Sequence, residues 1–580
     1  MRNKIWFNIG LLIVLITGWG LRIWGINWDS GYHFHPDERK IIMVANEIRW
    51  VNPITDWETF SSIDSGLNPK FFAYGSFPIY LLSFASNTIG NVLGDRGVAS
   101  YDGMLMVGRL LSAMFDTLTI LVVFWIGRKI RDEKLGLISA FLYAIAVFPI
   151  QTSHFYAVDT LLSLLMASLL FVIISVKKIS YKQIIIVGAL IGLGLGTKAS
   201  AVIGLIFWLL WLTAQIISPD KLNLNNKSSY WKRIVVVIKW GTLSLIIAIG
   251  VLSIVQPYMW YDKVAFWGDL SSQSRMRYDA WTFPYTRQYI GTKPYIYNVE
   301  QIVRFGLGIG QTVFVLLGIG GLVSILIKKN TKQFDVRSLI WGCILMLGFV
   351  VPFGIYSVKF MRYLLPIYPW LTILGGVGII YATNLFTNAK RNFVYVGLGI
   401  IMAMTLLWTW GFMNIYNVKN TRISASIWIN RNLKSGSTLA IEHWDDAIPV
   451  PPWGSQFQEV TLALYEPDNE MKWRLISQQL AQADAIVIAS NRLYAPLTRL
   501  TDKYPVASEY YKKLFNNELG FKLELKDSNY PRIGNYEIAD DEADESFHVY
   551  DHPKILVYKK KVGYTAEQYY DLITNGNLEI

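Results

Sequence analysis

The chain has 580 residues, of which 53% are hydrophobic, 14% aromatic and only 17% charged, a balance too apolar for a water-soluble fold and one that requires lipid around much of its surface. Its formal charge of +12 does not indicate a nucleic-acid partner, because the basic residues fall in short clusters between apolar runs and not along one face. The sole cysteine, Cys343, lies inside an apolar run, which excludes an internal disulfide and a thiolate metal site and leaves the redox compartment open.

The first apolar run, 5–26, is long, lacks a small-residue cleavage site and is followed by many others, so it reads as a retained anchor and not as a cleaved signal. Runs of about 20 apolar residues cross a hydrocarbon core, and Lys and Arg concentrate in cytoplasmic loops. Placing Arg2/Lys4, Arg128/Lys129/Arg131/Lys134, Lys177/Lys178/Lys182, Lys221/Lys227/Lys232/Arg233, Lys328/Lys329/Lys332/Arg337 and Lys390/Arg391 on the inside predicts about eleven spans. They fall near 5–26, 104–127, 135–151, 159–176, 183–197, 199–217, 234–255, 306–327, 338–356, 362–384 and 393–413. The N-terminus is then cytoplasmic. The apolar stretch 71–89 is interrupted by Gly75, Pro78 and several serines, which suits an interfacial helix inside one long external loop, 27–103.

After residue 413 apolar runs shorten, and from 414 onward 18 Lys and Arg stand against 23 Asp and Glu. The expected organisation is therefore a polytopic α-helical membrane module over 1–415 and an extracytoplasmic soluble α/β domain over 416–580. Strands are predicted over 437–444, 483–490, 520–526 and 547–559, and helices over 422–433, 469–482, 491–503 and 507–517. The cluster Glu442-His443-Trp444-Asp445-Asp446 could contact a sugar, since aromatic faces pack on pyranose rings, or could simply close a polar loop. The acidic run 540–545 reads as a solvated turn.

This topology collects the chemistry on one external face: His33, His35, Asp37 and Glu38 in the first loop, His154 and Asp159 in the second, Lys198, the loop 256–305, and Lys359 to Arg362. Asp37 and Glu38 after Pro36 have a structural reading, as carboxylates complementing the dipole of a helix first turn. They also have a functional one, because a carboxylate beside the membrane can take a proton from an incoming hydroxyl. Asp159 could cap the helix that begins there, Lys198 could snorkel, and Arg362 could be an interfacial anchor.

The run Gly31-Tyr32-His33-Phe34-His35-Pro36-Asp37-Glu38 resembles the acidic first external loop of fold C membrane glycosyltransferases. The likeness is to the protein O-mannosyltransferase and lipid A aminoarabinose transferase families, and to the bacterial phospholipid-carrier-dependent enzymes related to them. Tyr74-Gly75-Ser76-Phe77-Pro78-Ile79-Tyr80, Gly108-Arg109-Leu110-Leu111-Ser112-Ala113, His154-Phe155-Tyr156-Ala157-Val158-Asp159, Gly196-Thr197-Lys198 and Arg362-Tyr363-Leu364-Leu365-Pro366 follow in the same order. The sequence departs from these families in having no Glu-Lys-Pro run before the interfacial helix and no large soluble insertion, so donor sugar and acceptor stay open.

The resemblance implies glycosyl transfer from a polyprenyl monophosphate sugar to a protein, lipid or glycan acceptor, with inversion at the anomeric carbon. Asp37 would be the base, with Glu38 and Asp159 orienting it or the sugar. Fixed cations would bind the leaving phosphate, and the candidates are Lys198, Arg275, Arg277, Lys359 and Arg362. His33, His35, His154 and Tyr74 are candidate substrate-binding groups. The histidines and carboxylates supply ligand types that could hold a divalent ion, but no spacing among them is diagnostic and no cofactor is expected to be obligatory. A transporter or flippase of a lipid-linked saccharide is the alternative; it would place polar groups at midspan and repeat its halves.

Overall fold

The computed structural model describes residues 2–222, 229–328, 333–385 and 389–574; Lys227, Lys329 and Lys332 of the basic clusters lie outside them. The chain divides into two compact units: residues 1–26, 35–274 and 294–410, and residues 27–34, 275–293 and 411–580.

The first unit is helical. Among the described residues, nine helices are long and apolar enough to cross a membrane, or ten if the bent pair Glu133–Ala144 and Val147–Ser153 counts as one span. The chain is thus a multi-pass membrane protein, close to the expected eleven spans. The difference lies at 183–197, whose helix, Tyr181–Thr197, contributes only the shorter apolar segment Tyr181–Leu195. The stretch 71–89 forms the helix Ser76–Leu93, which is not among the candidate spans.

Helices Glu133–Ala144 and Val147–Ser153 meet at 60°, and a buried cation satisfies backbone carbonyls freed there. Arg22 Nη1 donates to Ala144 O at 3.0 Å while its Nε donates to Asp116 at 2.7 Å. The Tyr143 hydroxyl donates to the other Asp116 oxygen at 2.5 Å. Arg22 and Asp116 have no exposed side-chain surface. Charge at such depth persists only when paired and hydrogen-bonded.

The second unit carries a five-stranded sheet in the order β2-β1-β3-β7-β4, with β1 Thr438–Glu442, β2 Gln458–Leu462, β3 Ala485–Ile488, β4 Phe521–Asp527 and β7 Ile555–Lys560; β5 Arg532–Ile533 and β6 Tyr536–Glu537 form a separate ribbon. Strands β1, β2 and β3 are parallel, and β7 runs antiparallel to both β3 and β4. Helices Glu470–Gln482 and Pro505–Phe515 bury Trp473, Ile476, Leu480, Tyr510 and Leu514 in its core. The expected strand 547–559 begins instead as a helical turn, Glu545–His548, and only Ile555–Lys560 is extended.

Two segments distant in sequence complete this unit. Tyr32 donates to Pro451 O at 2.7 Å, and the Arg422 guanidinium lies over the Phe34 ring at 5.2 Å. From the segment 275–293, Arg287 donates to Tyr465 O at 2.8 Å and Tyr289 to Asp544 at 2.8 Å. These contacts bear on the acidic run, which is not a solvated turn. Asp540 and Asp544 are buried, Asp540 accepting from His552 at 2.7 Å, and Glu545 pairs with Arg492. Burial lowers the His552 pKa, but the carboxylates of Asp551 and Asp540 outweigh it and bring it to about 10.

Candidate functional site

Helix Pro36–Glu47 starts where His35 adopts an extended backbone and its Nδ1 accepts the Glu38 N–H at 3.2 Å, with Pro36 in the first turn. This is an N-cap followed by a proline whose missing donor costs nothing. Asp37 and Glu38 then occupy the first turn, as the structural reading requires, but their side chains go to different places.

The Glu38 carboxylate is fully buried and accepts from Arg109 Nε at 3.0 and 3.3 Å and Nη2 at 2.7 Å, and from the Tyr156 N–H at 2.8 Å. Arg109 Nη1 reaches Ile26 O at 2.9 Å. One carboxylate thereby ties the helix Pro36–Glu47 to the helix Tyr101–Ile130 and to the loop before Asp159. The carboxylate expected to orient Asp37 or the sugar is thus engaged by protein groups.

Asp37 is partly open to solvent. The Tyr74 hydroxyl donates to its Oδ1 at 2.8 Å, and Arg362 donates to its Oδ2. Burial raises the Asp37 pKa, but Arg362, His35 and the Tyr74 hydrogen bond outweigh it and hold the carboxyl below its ordinary value. Burial and the charges of Asp37 and Asp159 push the Tyr74 phenol well up, so it acts as a neutral donor.

A second ion pair stands in the same unit. Asp159 lies in the first turn of helix Val158–Ser175, and Lys198, the residue after helix Tyr181–Thr197, donates to it at 2.7 Å. Lys198 also sits over the Tyr363 ring at 4.8 Å, beside Arg362 in the turn Met361–Ile367. The link between the Tyr74 loop and Lys198 depends on a missing side chain: Gly75 N–H donates to Thr197 O at 3.0 Å, and a Cβ on Gly75 would fall 1.8 Å from Gly196 O.

The other sequence candidates lie elsewhere or are otherwise engaged. Lys359 is buried, donates to Ser357 O at 3.2 Å, and has its pKa lowered by burial. His35 packs against Phe155 at 4.5 Å. Both His154 ring nitrogens face carbonyls, Ile150 O at 2.8 Å and Trp24 O at 3.0 Å. His33, with φ 55°, belongs to the second unit, as do Arg275 and Arg277. Among the described residues no three His, Cys, Asp or Glu side chains converge as a metal ion requires. In the second unit, Glu442 is buried against the Tyr511 hydroxyl at 2.7 Å, and burial brings its pKa to about 8. Of the Glu442–Asp446 cluster, Trp444 stays exposed.

The sequence reading gave no role to Arg109 or Tyr156. An arginine within an otherwise apolar span is a signal for the first. The second acts through its backbone amide, for which no sequence signal exists.

Residues 102–252 match the family model described as dolichyl-phosphate-mannose-protein mannosyltransferase. No curated protein matches the chain in sequence. An oligosaccharyltransferase from Archaeoglobus fulgidus in its apo form is similar in structure, with TM-score 0.51 and 14% identity over 88% of this chain and 73% of its own. ArnT from Cupriavidus metallidurans bound to undecaprenyl phosphate aligns with TM-score 0.43 and 13% identity, over 85% of this chain and 95% of its own.

Proposed function

For a multi-pass membrane protein with the fold C glycosyltransferase architecture, we propose transfer of a sugar from a polyprenyl-phosphate carrier to a protein, lipid or glycan acceptor on the extracytoplasmic side, with the N-terminus cytoplasmic. The observation that carries this reading is the pairing of Asp37 with Tyr74 and Arg362 beside the Asp159–Lys198 pair. It supplies a carboxylate base and two fixed cations in one membrane-embedded unit.

In this reaction the acceptor hydroxyl loses its proton to Asp37 and its oxygen bonds to the anomeric carbon. The bond from that carbon to the phosphate oxygen breaks, and polyprenyl phosphate leaves with the electron pair; one displacement inverts the configuration. Phosphate oxygens take charge as the bond breaks, and Lys198 and Arg362 offset it. Without donor, Arg362 holds Asp37 ionised but weakly basic. A donor phosphate that engages Arg362 relieves that depression and makes Asp37 a better base when the acceptor arrives. Glu38 keeps Asp37 in place through Arg109 and Tyr156.

Protein reconstituted in liposomes with a labelled polyprenyl-phosphate sugar tests the assignment. Acceptor-dependent release of polyprenyl phosphate is the expected result. Movement of the intact lipid-linked sugar across the bilayer, with no cleavage, would favour the transporter alternative.

A further inference from the structure

The helices that carry the candidate site at one end frame a cavity at the other. Lys129 lies twenty positions after Arg109 on helix Tyr101–Ile130, which at 1.5 Å per residue is about 30 Å, the thickness of a hydrocarbon core. Helix Val202–Ile217 starts close after Lys198 and ends beside Ser218, and helix Val336–Ile355 runs from Arg337 toward the turn that holds Arg362. Between these distal ends is a cavity of about 320 Å³ lined by Lys129, Lys221, Arg337, Asp335, Trp211 and Trp341, among others.

The lining is amphipathic. Trp211 is buried and stacked on Trp208 at 5.3 Å, and Trp341 lies edge-on to Phe207 at 5.9 Å, so the indoles form an apolar wall at membrane depth. Three cations stand on the lining against the single carboxylate of Asp335. Two of them are held only in exposed pairs: Lys129 is 4.0 Å from Asp335, and Arg337 donates to the outlying Asp220 at 3.0 Å, all four side chains at least one-third exposed. Exposed pairs of this kind contribute little and exchange readily for a better anion.

We infer that this cavity is a binding site for an anionic phospholipid, with the phosphodiester held by Lys129, Lys221 and Arg337 and the chains lying along Trp211 and Trp341. Cationic pockets between membrane helices select acidic headgroups in this way. A free inorganic phosphate would use the cations but not the indole wall. This site is independent of the transferase proposal, since it shares no residue with Asp37, Asp159, Lys198 or Arg362.

The test is native mass spectrometry of the full chain released from nanodiscs containing phosphatidylglycerol or phosphatidylcholine. Phosphatidylglycerol should be retained and phosphatidylcholine lost. Each cation changed to glutamine should weaken retention roughly fivefold, so Lys129→Gln, Lys221→Gln and Arg337→Gln together should weaken it on the order of a hundredfold, while Lys129→Arg with Lys221→Arg should keep it. Equal retention of both lipids, unchanged retention in the triple variant, or displacement of phosphatidylglycerol by inorganic phosphate would each overturn the proposal. If the triple variant does not fold, the two-lipid comparison on the unaltered protein still decides.

Discussion

Replacing Arg109 by methionine removes the partner of a carboxylate that has no exposed surface. Glu38 accepts from Nε and Nη2 of Arg109 and from the Tyr156 N–H, and the methionine takes the guanidinium away from its buried charge. Breaking one side of such a pair costs about 3–5 kcal/mol, whereas replacing both partners by neutral groups of similar size is often near neutral. Arg109→Met and Glu38→Gln should therefore each destabilise the protein by about that amount. The double variant should be more stable than the sum of the two single changes predicts, by several kcal/mol. Unfolding in mixed detergent micelles, followed by tryptophan fluorescence, gives the three free energies, and transfer rates on the same samples give the functional cost. A Glu38→Gln protein with stability within about 0.5 kcal/mol of the parent and no transfer would refute this role, because Glu38 would then be acting on substrate.

Three further expectations follow from named contacts. Gly75→Ala places a methyl 1.8 Å from Gly196 O; the forced backbone shift should cost about 1–3 kcal/mol and lower the transfer rate, which a thermal-shift and turnover comparison with Gly268→Ala, where a Cβ meets nothing within 4 Å, would read. Arg362→Lys keeps a charge but loses the planar fork, so kcat/KM for the lipid-linked donor should fall by roughly tenfold or more while the pH–rate profile shifts; an unchanged profile would remove Arg362 from the site. Burial pushes the Glu442 carboxyl up to about 8 from its ordinary 4.5. The native state therefore holds the extra proton, and stability falls as pH rises from about 4.5 through 8, by about 5 kcal/mol in all. Glu442→Gln should abolish that fall, matching the parent at pH 4.5 and exceeding it at pH 9 in chemical unfolding of the full chain.

The membrane spans were legible because lipid permits few backbone solutions and each needs a long apolar run. The candidate site was legible in part as a spatial grouping. Asp37, Asp159, Lys198, Tyr74 and Arg362 were named from short motifs, and these meet in one unit. For Glu38 the two orienting roles, toward Asp37 or toward the sugar, stayed open because a carboxylate that holds protein segments and one that touches substrate look the same in a first helical turn. Only the approach of Arg109 from 71 positions away separates them. The run 540–545 was misread for a similar reason, since His552, Tyr289 and Arg492 come from three other segments to satisfy it. Strand β2 escaped because it is a short edge strand with mostly exposed side chains, lacking the apolar signature of an inner strand.

The most direct test of the central claim is single-turnover transfer by Asp37→Asn. Asparagine preserves size and an acceptor for Tyr74 but cannot take the proton, so the chemical step should slow by about 10²–10⁴-fold while donor binding persists. Transfer by Asp37→Asn at the rate of the unaltered protein would contradict the account.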